Sequence, residues 1–173
     1  MIGRPRGTAA GPALALTLAL TLALAACSGP PTGGTSVETT PSTPTVQHQR
    51  DLAAAYVDAT MRTSGVTWDD SQANEYAQEC LLGDGTSGAL YNLARIGAGV
   101  PDPEAAVRTV GRSWAADGLT VKYSESSLND GSRQFVVKGA GGAVERIQFG
   151  AATVRSSLAA VSRCGTGDAA DLG

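Results

Sequence analysis

At Gly118 the hydrophobic period of this chain changes from about 3.6 residues to two, and that change fixes its fold class. Before it, Val107, Val110 and Trp114 recur at i, i+3 and i+7, one face of a helix spanning 102–116. Asp102 caps the start, Pro103 suits the first helical position, and Glu104 lies favourably against the helix dipole. Asp117-Gly118 ends the helix. After it, Leu119, Val121 and Tyr123 alternate with Thr120, Lys122 and Ser124, the pattern of a half-buried strand. Asn129-Asp130-Gly131 turns the chain into a returning strand at 135–138, and the run Gly139-Ala140-Gly141-Gly142 turns it again. Val144 to Phe149 and Thr153 to Ser162 complete an antiparallel meander.

Upstream, Leu52, Ala55, Tyr56 and Ala59 mark one face of a first helix from Gln49 to Thr63, with Gly65 as its stop. Ala89 to Ile96 reads as a strand. Within residues 66–82, Asn74 to Leu82 reads either as a short helix or as a strand leading into Cys80. The order α–β–α–β–β–β–β predicts an α+β fold: a single two-layer domain whose antiparallel sheet of four to five strands carries two helices on one face.

The domain occupies only part of the chain. Arg4 and Arg6 precede an apolar run, Ala13 to Ala26, of about 14 residues, too short for a bilayer core that takes roughly 20 helical residues. The run closes on Leu24-Ala25-Ala26-Cys27, which reads as a lipobox. Small side chains admit a signal peptidase, and the Cys27 thiol takes a diacylglyceryl group. Residues 1–26 are then a lipoprotein signal peptide, and Cys27 is the lipidated first residue of the mature chain. In residues 28–46, 16 of 19 are Ser, Thr, Pro or Gly, so 27–46 reads as a lipidated cysteine and a disordered tether. Extended, such a tether reaches roughly 60–70 Å, and as a coil about 25 Å. The globular domain is expected over 47–165, with 166–173 a flexible C-terminal tail.

Loss of Arg4 and Arg6 takes the net charge from −3 to −5. A mildly acidic chain has no electrostatic footprint for nucleic acid or for anionic lipid headgroups, so membrane attachment falls to the acyl chains at Cys27. Outside the cytoplasm the two remaining cysteines, Cys80 and Cys164, are expected to form a disulfide.

No motif in the chain brings a catalytic kit with it. Gly83-Asp84-Gly85-Thr86-Ser87-Gly88 matches GxGxxG, but a dinucleotide fingerprint needs a strand before it and a helix after it, and here a strand follows. Asp69, Asp70, Glu75 and Glu79 cluster in sequence without the spacing of a calcium loop. The only histidine, His48, lies at the edge of the tether, and neither G-x-S-x-G nor Ser-x-x-Lys occurs. No metal site and no cofactor is read from the sequence. Trp68, Trp114 and Tyr56 read as core residues.

A lipobox, a Thr/Pro tether and a small α+β domain holding Cys80 and Cys164 together resemble the small cell-envelope lipoproteins of mycobacteria and other actinomycetes, of LppA type. The resemblance implies a place at the outer face of the plasma membrane and offers no catalytic residues. The expected role is a non-enzymatic binding module, its site on the sheet face away from the helices or in a groove between helix 102–116 and the sheet, its partner an envelope protein. The alternatives are a carrier of a lipid or other small apolar ligand, with a cavity lined by Leu119, Val121, Phe135, Val137 and Ile147, and a carboxylate-dependent hydrolase.

Overall fold

The computed structural model describes residues 42–172. The segments read as a signal peptide (1–26), a lipobox (Leu24-Ala25-Ala26-Cys27) and a tether up to residue 41 lie outside the described residues. Helix α1 (Val46–Thr63) is followed by strands β1 (Trp68–Leu81) and β2 (Ser87–Ala98), helix α2 (Pro103–Ala116), and strands β3 (Thr120–Ser127), β4 (Arg133–Gly141), β5 (Val144–Ala151) and β6 (Arg155–Ser162). All six strands form one antiparallel sheet in the order β1-β2-β6-β5-β4-β3. After the β1–β2 hairpin, α2 carries the chain to the opposite edge, and the meander β3–β6 walks back until β6 pairs with β2. α1 packs on β2 and β6, α2 on β4, β5 and β3, and the two helices touch each other, so both lie on one face. The class is α+β, with six strands.

The additional strand is β1. The residues of its first half, from Asp69 to Asn74, are all exposed, and it forms the sheet's edge. A polar edge strand is how a sheet discourages pairing with other chains, and the same polarity hides it from hydropathy patterns. A break in register between Asp69 and Asn74 also interrupts its period of two.

The β1–β2 and β3–β4 hairpin loops are built alike. In Leu82-Gly83-Asp84-Gly85-Thr86 and Leu128-Asn129-Asp130-Gly131-Ser132 the aspartate accepts from the N–H and the hydroxyl of the residue two further on. These bonds hold both carboxyls below the usual Asp range. Gly85 and Gly131 each take a φ of +81°, left-handed geometry that favours glycine. The GxGxxG match is thus a hairpin loop running into β2.

α1 begins three residues earlier than expected, at Val46, because the Thr45 side chain caps it by accepting from the His48 N–H. Its buried stripe is Val46, Gln49, Ala53, Val57 and Thr60, rotated away from the expected Leu52–Ala55–Tyr56–Ala59 face. The cause is two polar residues in the core. Thr60 donates to the Tyr56 carbonyl and accepts from Trp114 Nε1 at 2.9 Å, so its hydroxyl is satisfied at 2 % exposure. α2 follows the sequence pattern: Asp102 caps it through the Ala105 N–H, and Val107, Val110 and Trp114 are buried.

The C-terminal segment is ordered where a flexible tail was expected. Cys164 is bonded to Cys80 with Cα atoms 6.0 Å apart. Gly165 exchanges backbone hydrogen bonds with Ala89, the Val46 N–H donates to the Thr166 carbonyl, and the Thr166 N–H donates to that of Pro44. Ala169–Leu172 forms a 3-10 turn, with Ala169 and Leu172 packed against the core. The domain therefore includes both the last residues assigned to the tether, 44–46, and the segment 166–172. Among the described residues no helix is long and apolar enough to cross a membrane.

Candidate functional site

Strand alternation divides the sheet into two faces of different character. Leu93, Val137, Ile147, Phe149 and Leu158 point to the helices and are almost fully buried. The opposite face has no covering layer, and the registers arrange it in rows. One row runs Lys122–Lys138–Gln148–Ala159–Ala94–Asn74 across all six strands from β3 to β1. Beside it, Thr120 is paired with Ala140, and Arg146 with Val161, which pairs in turn with Asn92 and so with Tyr76.

Side-chain size along these rows shapes the surface. Ala159, Ala140 and Val161 are short, whereas Lys122, Lys138 and Arg146 are long. The result is a half-open depression of about 580 Å³ lined by Thr120, Lys122, Lys138, Ala140, Arg146 and Val161, among others, with a mostly apolar floor. That volume falls in the range of small-ligand sites. Val161 is only 7 % exposed although no helix covers it, as expected at the bottom of a concave surface.

Its charge is the distinctive property. Lys122 and Lys138 are the only lysines of the chain, and the β3–β4 register sets them directly opposite each other. Opposite side chains have Cβ atoms about 4.5–5.5 Å apart, and like charges there are destabilising. Arg146 enters the same depression from β5. Among the described residues, none of the three is ion-paired. An acidic net charge thus hides a local cationic surface.

On the helical side a half-buried carboxylate is matched by two arginines. Glu75 of β1 bridges Arg50 of α1 and Arg95 of β2, each at 2.5 Å. Burial raises the Glu75 pKa, but the hydrogen bonds from Arg95 and Arg50 outweigh it and hold the carboxyl below the usual Glu range. A depressed carboxyl contributes stability that is present above its unfolded pKa and lost as pH falls through the folded one. Stability of the parent should therefore decline more steeply below about pH 4.3, the ordinary Glu value, than that of Glu75→Gln. Urea midpoints taken from pH 6 to pH 3 check this, and parallel curves for the two proteins would refute it.

The groove between α2 and the β3–β4 hairpin, of about 290 Å³, likewise contains its own pairs, Glu104–Arg108 and Glu125–Arg133. Arg108 lies over the Tyr123 ring at 5.2 Å, where Gly111 of α2 leaves room for the phenol. With its charges satisfied internally, this groove offers a ligand less than the open face does.

The other residues singled out in the sequence are dispersed. Glu75 is held by its two arginines, Asp69 accepts from Ser71, and Asp70 and Glu79 are exposed. Among the described residues no group of three or more His, Cys, Asp or Glu comes together in a way that would hold a metal ion. His48 is exposed in the first turn of α1. Leu119, Val137 and Ile147 are buried in the helix-facing core, with Val121 and Phe135 packed against it. A Cβ at Gly139 would sit 3.0–3.1 Å from Leu119, Trp114 and Ile147, which indicates how closely that region is filled.

No family model and no curated sequence matches the chain. Among solved structures, it is similar to a DUF4853 family protein from Actinomyces odontolyticus, at 15 % identity and a TM-score of 0.44, over 71 % of this chain and 67 % of that one.

Proposed function

We propose that this chain is an actinomycete-type cell-envelope lipoprotein: a non-enzymatic binding module tethered to the outer face of the plasma membrane through Cys27, with the helix-free sheet face as its binding surface. The carrying observation is the depression that gathers Lys122, Lys138 and Arg146 without ion-pair partners. Three cations without ion-pair partners, gathered on one face of an acidic protein, raise the local potential for an anionic partner.

Two measurements test the proposal separately. Cys27→Ser, expressed in an actinomycete host, should move the protein from the membrane pellet to the soluble fraction and remove the mobility shift of lipidation. Unchanged fractionation would refute the anchor. For the surface, a photocrosslinker at Ala159 should capture a ligand in intact envelopes, and the same group at Asp58, exposed on α1, should not. Equal capture at both positions, or none at Ala159, would refute the open face as the working surface.

A further inference from the structure

The arrangement of charge and apolar floor specifies a ligand class, provided that the open face is the working surface. We propose that the depression takes the phosphate headgroup and first methylenes of an anionic lipid, the phosphate lying among Lys122, Lys138 and Arg146 and the chain running over Ala140, Ala159 and Val161.

The charge argument is one of position. The only two lysines of the chain stand directly opposite each other across a hairpin, where like charges are unfavourable and an anion between them would relieve the repulsion. Ammonium groups act as point charges toward phosphate, and a guanidinium adds a two-pronged donor, so the set suits a phosphate, whose several oxygens can accept from all three, better than a single carboxylate.

The floor argues for an amphiphile over a free anion. A site for inorganic phosphate alone would surround it with polar donors, whereas most of this surface is small and aliphatic. The tether, on the reading above, keeps the domain within tens of ångströms of a leaflet rich in such headgroups, which raises their effective concentration.

The experiment uses the full-length protein purified in dodecyl maltoside at low salt, titrated calorimetrically with dodecyl phosphate at constant total detergent. Saturable binding is expected over a background of neutral detergent already in excess. Lys122→Gln/Lys138→Gln should weaken it by about tenfold or more, and Arg146→Gln alone by several-fold. The double variant should melt no lower than the parent, since the substitution removes a like-charge contact. Were it nevertheless unfolded, Arg146→Gln decides the question alone.

Several results would overturn the proposal. One is the absence of saturable heat with dodecyl phosphate. Another is binding unchanged in the variants, which is partition into the micelle. A third is inorganic phosphate binding as tightly as dodecyl phosphate, which makes the site a free-anion site. None of these bears on the anchor, which the Cys27→Ser fractionation tests, and capture from Ala159 would still stand as evidence for the surface.

Discussion

Replacing Cys80 and Cys164 by serine is expected to lower the unfolding free energy by about 4–5 kcal/mol, the chain-entropy value for the loop they close. The bridge spans a sequence separation of 84, and that loop contains β2, α2 and the whole β3–β6 meander. Domains of this size have about 5–15 kcal/mol in all, so the reduced protein should be marginal. Loss should begin at a specific place. Beyond Cys164 the chain is held by Gly165 on Ala89 and by Thr166 on Pro44 and Val46, an arrangement of backbone bonds at the sheet's border. Gly165 also lies so close to Val46 that a Cβ there would meet its backbone nitrogen at 2.5 Å. Hydrogen exchange should therefore show Ala89, Val46 and Thr166 deprotected in the variant before Phe149 or Leu158. Urea titration with and without reductant measures the size of the effect. A change below about 1 kcal/mol would mean that the packed core alone holds the domain, contrary to the entropic account.

The parts legible in the sequence are those whose local signals agree with their tertiary surroundings. α2 has a cap, a proline, an apolar stripe and a glycine stop, all of which serve the same helix. The meander is legible because its strands are buried on the face that the alternation marks. β1 is obscured by its edge position: polar residues suit both solvent and pairing, and they fit either reading of 66–82. The α1 stripe is misread because Gln49 and Thr60 count as polar although both are buried. The C-terminal segment, rich in small and acidic residues, resembles a tail until its partners Pro44, Val46 and Ala89 are brought beside it. The candidate site was the least legible. Lys122 and Lys138 are 16 positions apart and become neighbours only through the register of one hairpin, while Arg146 joins them from the next strand. Alternation gave the face, but the missing ion-pair partners are a property of three dimensions.

The second large effect concerns the junction of the helices. Trp114→Ala is expected to cost about 3–5 kcal/mol, the usual range for an aromatic truncated in a core. Trp114 is 2 % exposed and packs against the backbone of Gly139, while its indole N–H reaches Thr60 across the α1–α2 contact. Truncation removes both the ring and the bond, and a space bordered by Leu119, Gly139 and α1 is left unfilled. Smaller changes divide the two parts. Trp114→Phe keeps most of the volume and loses the donor, for about 1 kcal/mol. Thr60→Val keeps the volume and orphans a buried N–H, for about 1–3 kcal/mol. The double variant should cost less than the sum, because with Phe at 114 there is no buried N–H left for Thr60→Val to orphan. Urea midpoints for the four proteins close the cycle, and strict additivity would show that the hydrogen bond contributes nothing beyond packing. None of these changes touches the open face. Below the melting transition each variant should keep the parent's affinity for dodecyl phosphate, whereas Lys122→Gln/Lys138→Gln should lose affinity without losing stability, so that the residues that hold the domain together and those that serve its surface come apart in one pair of measurements.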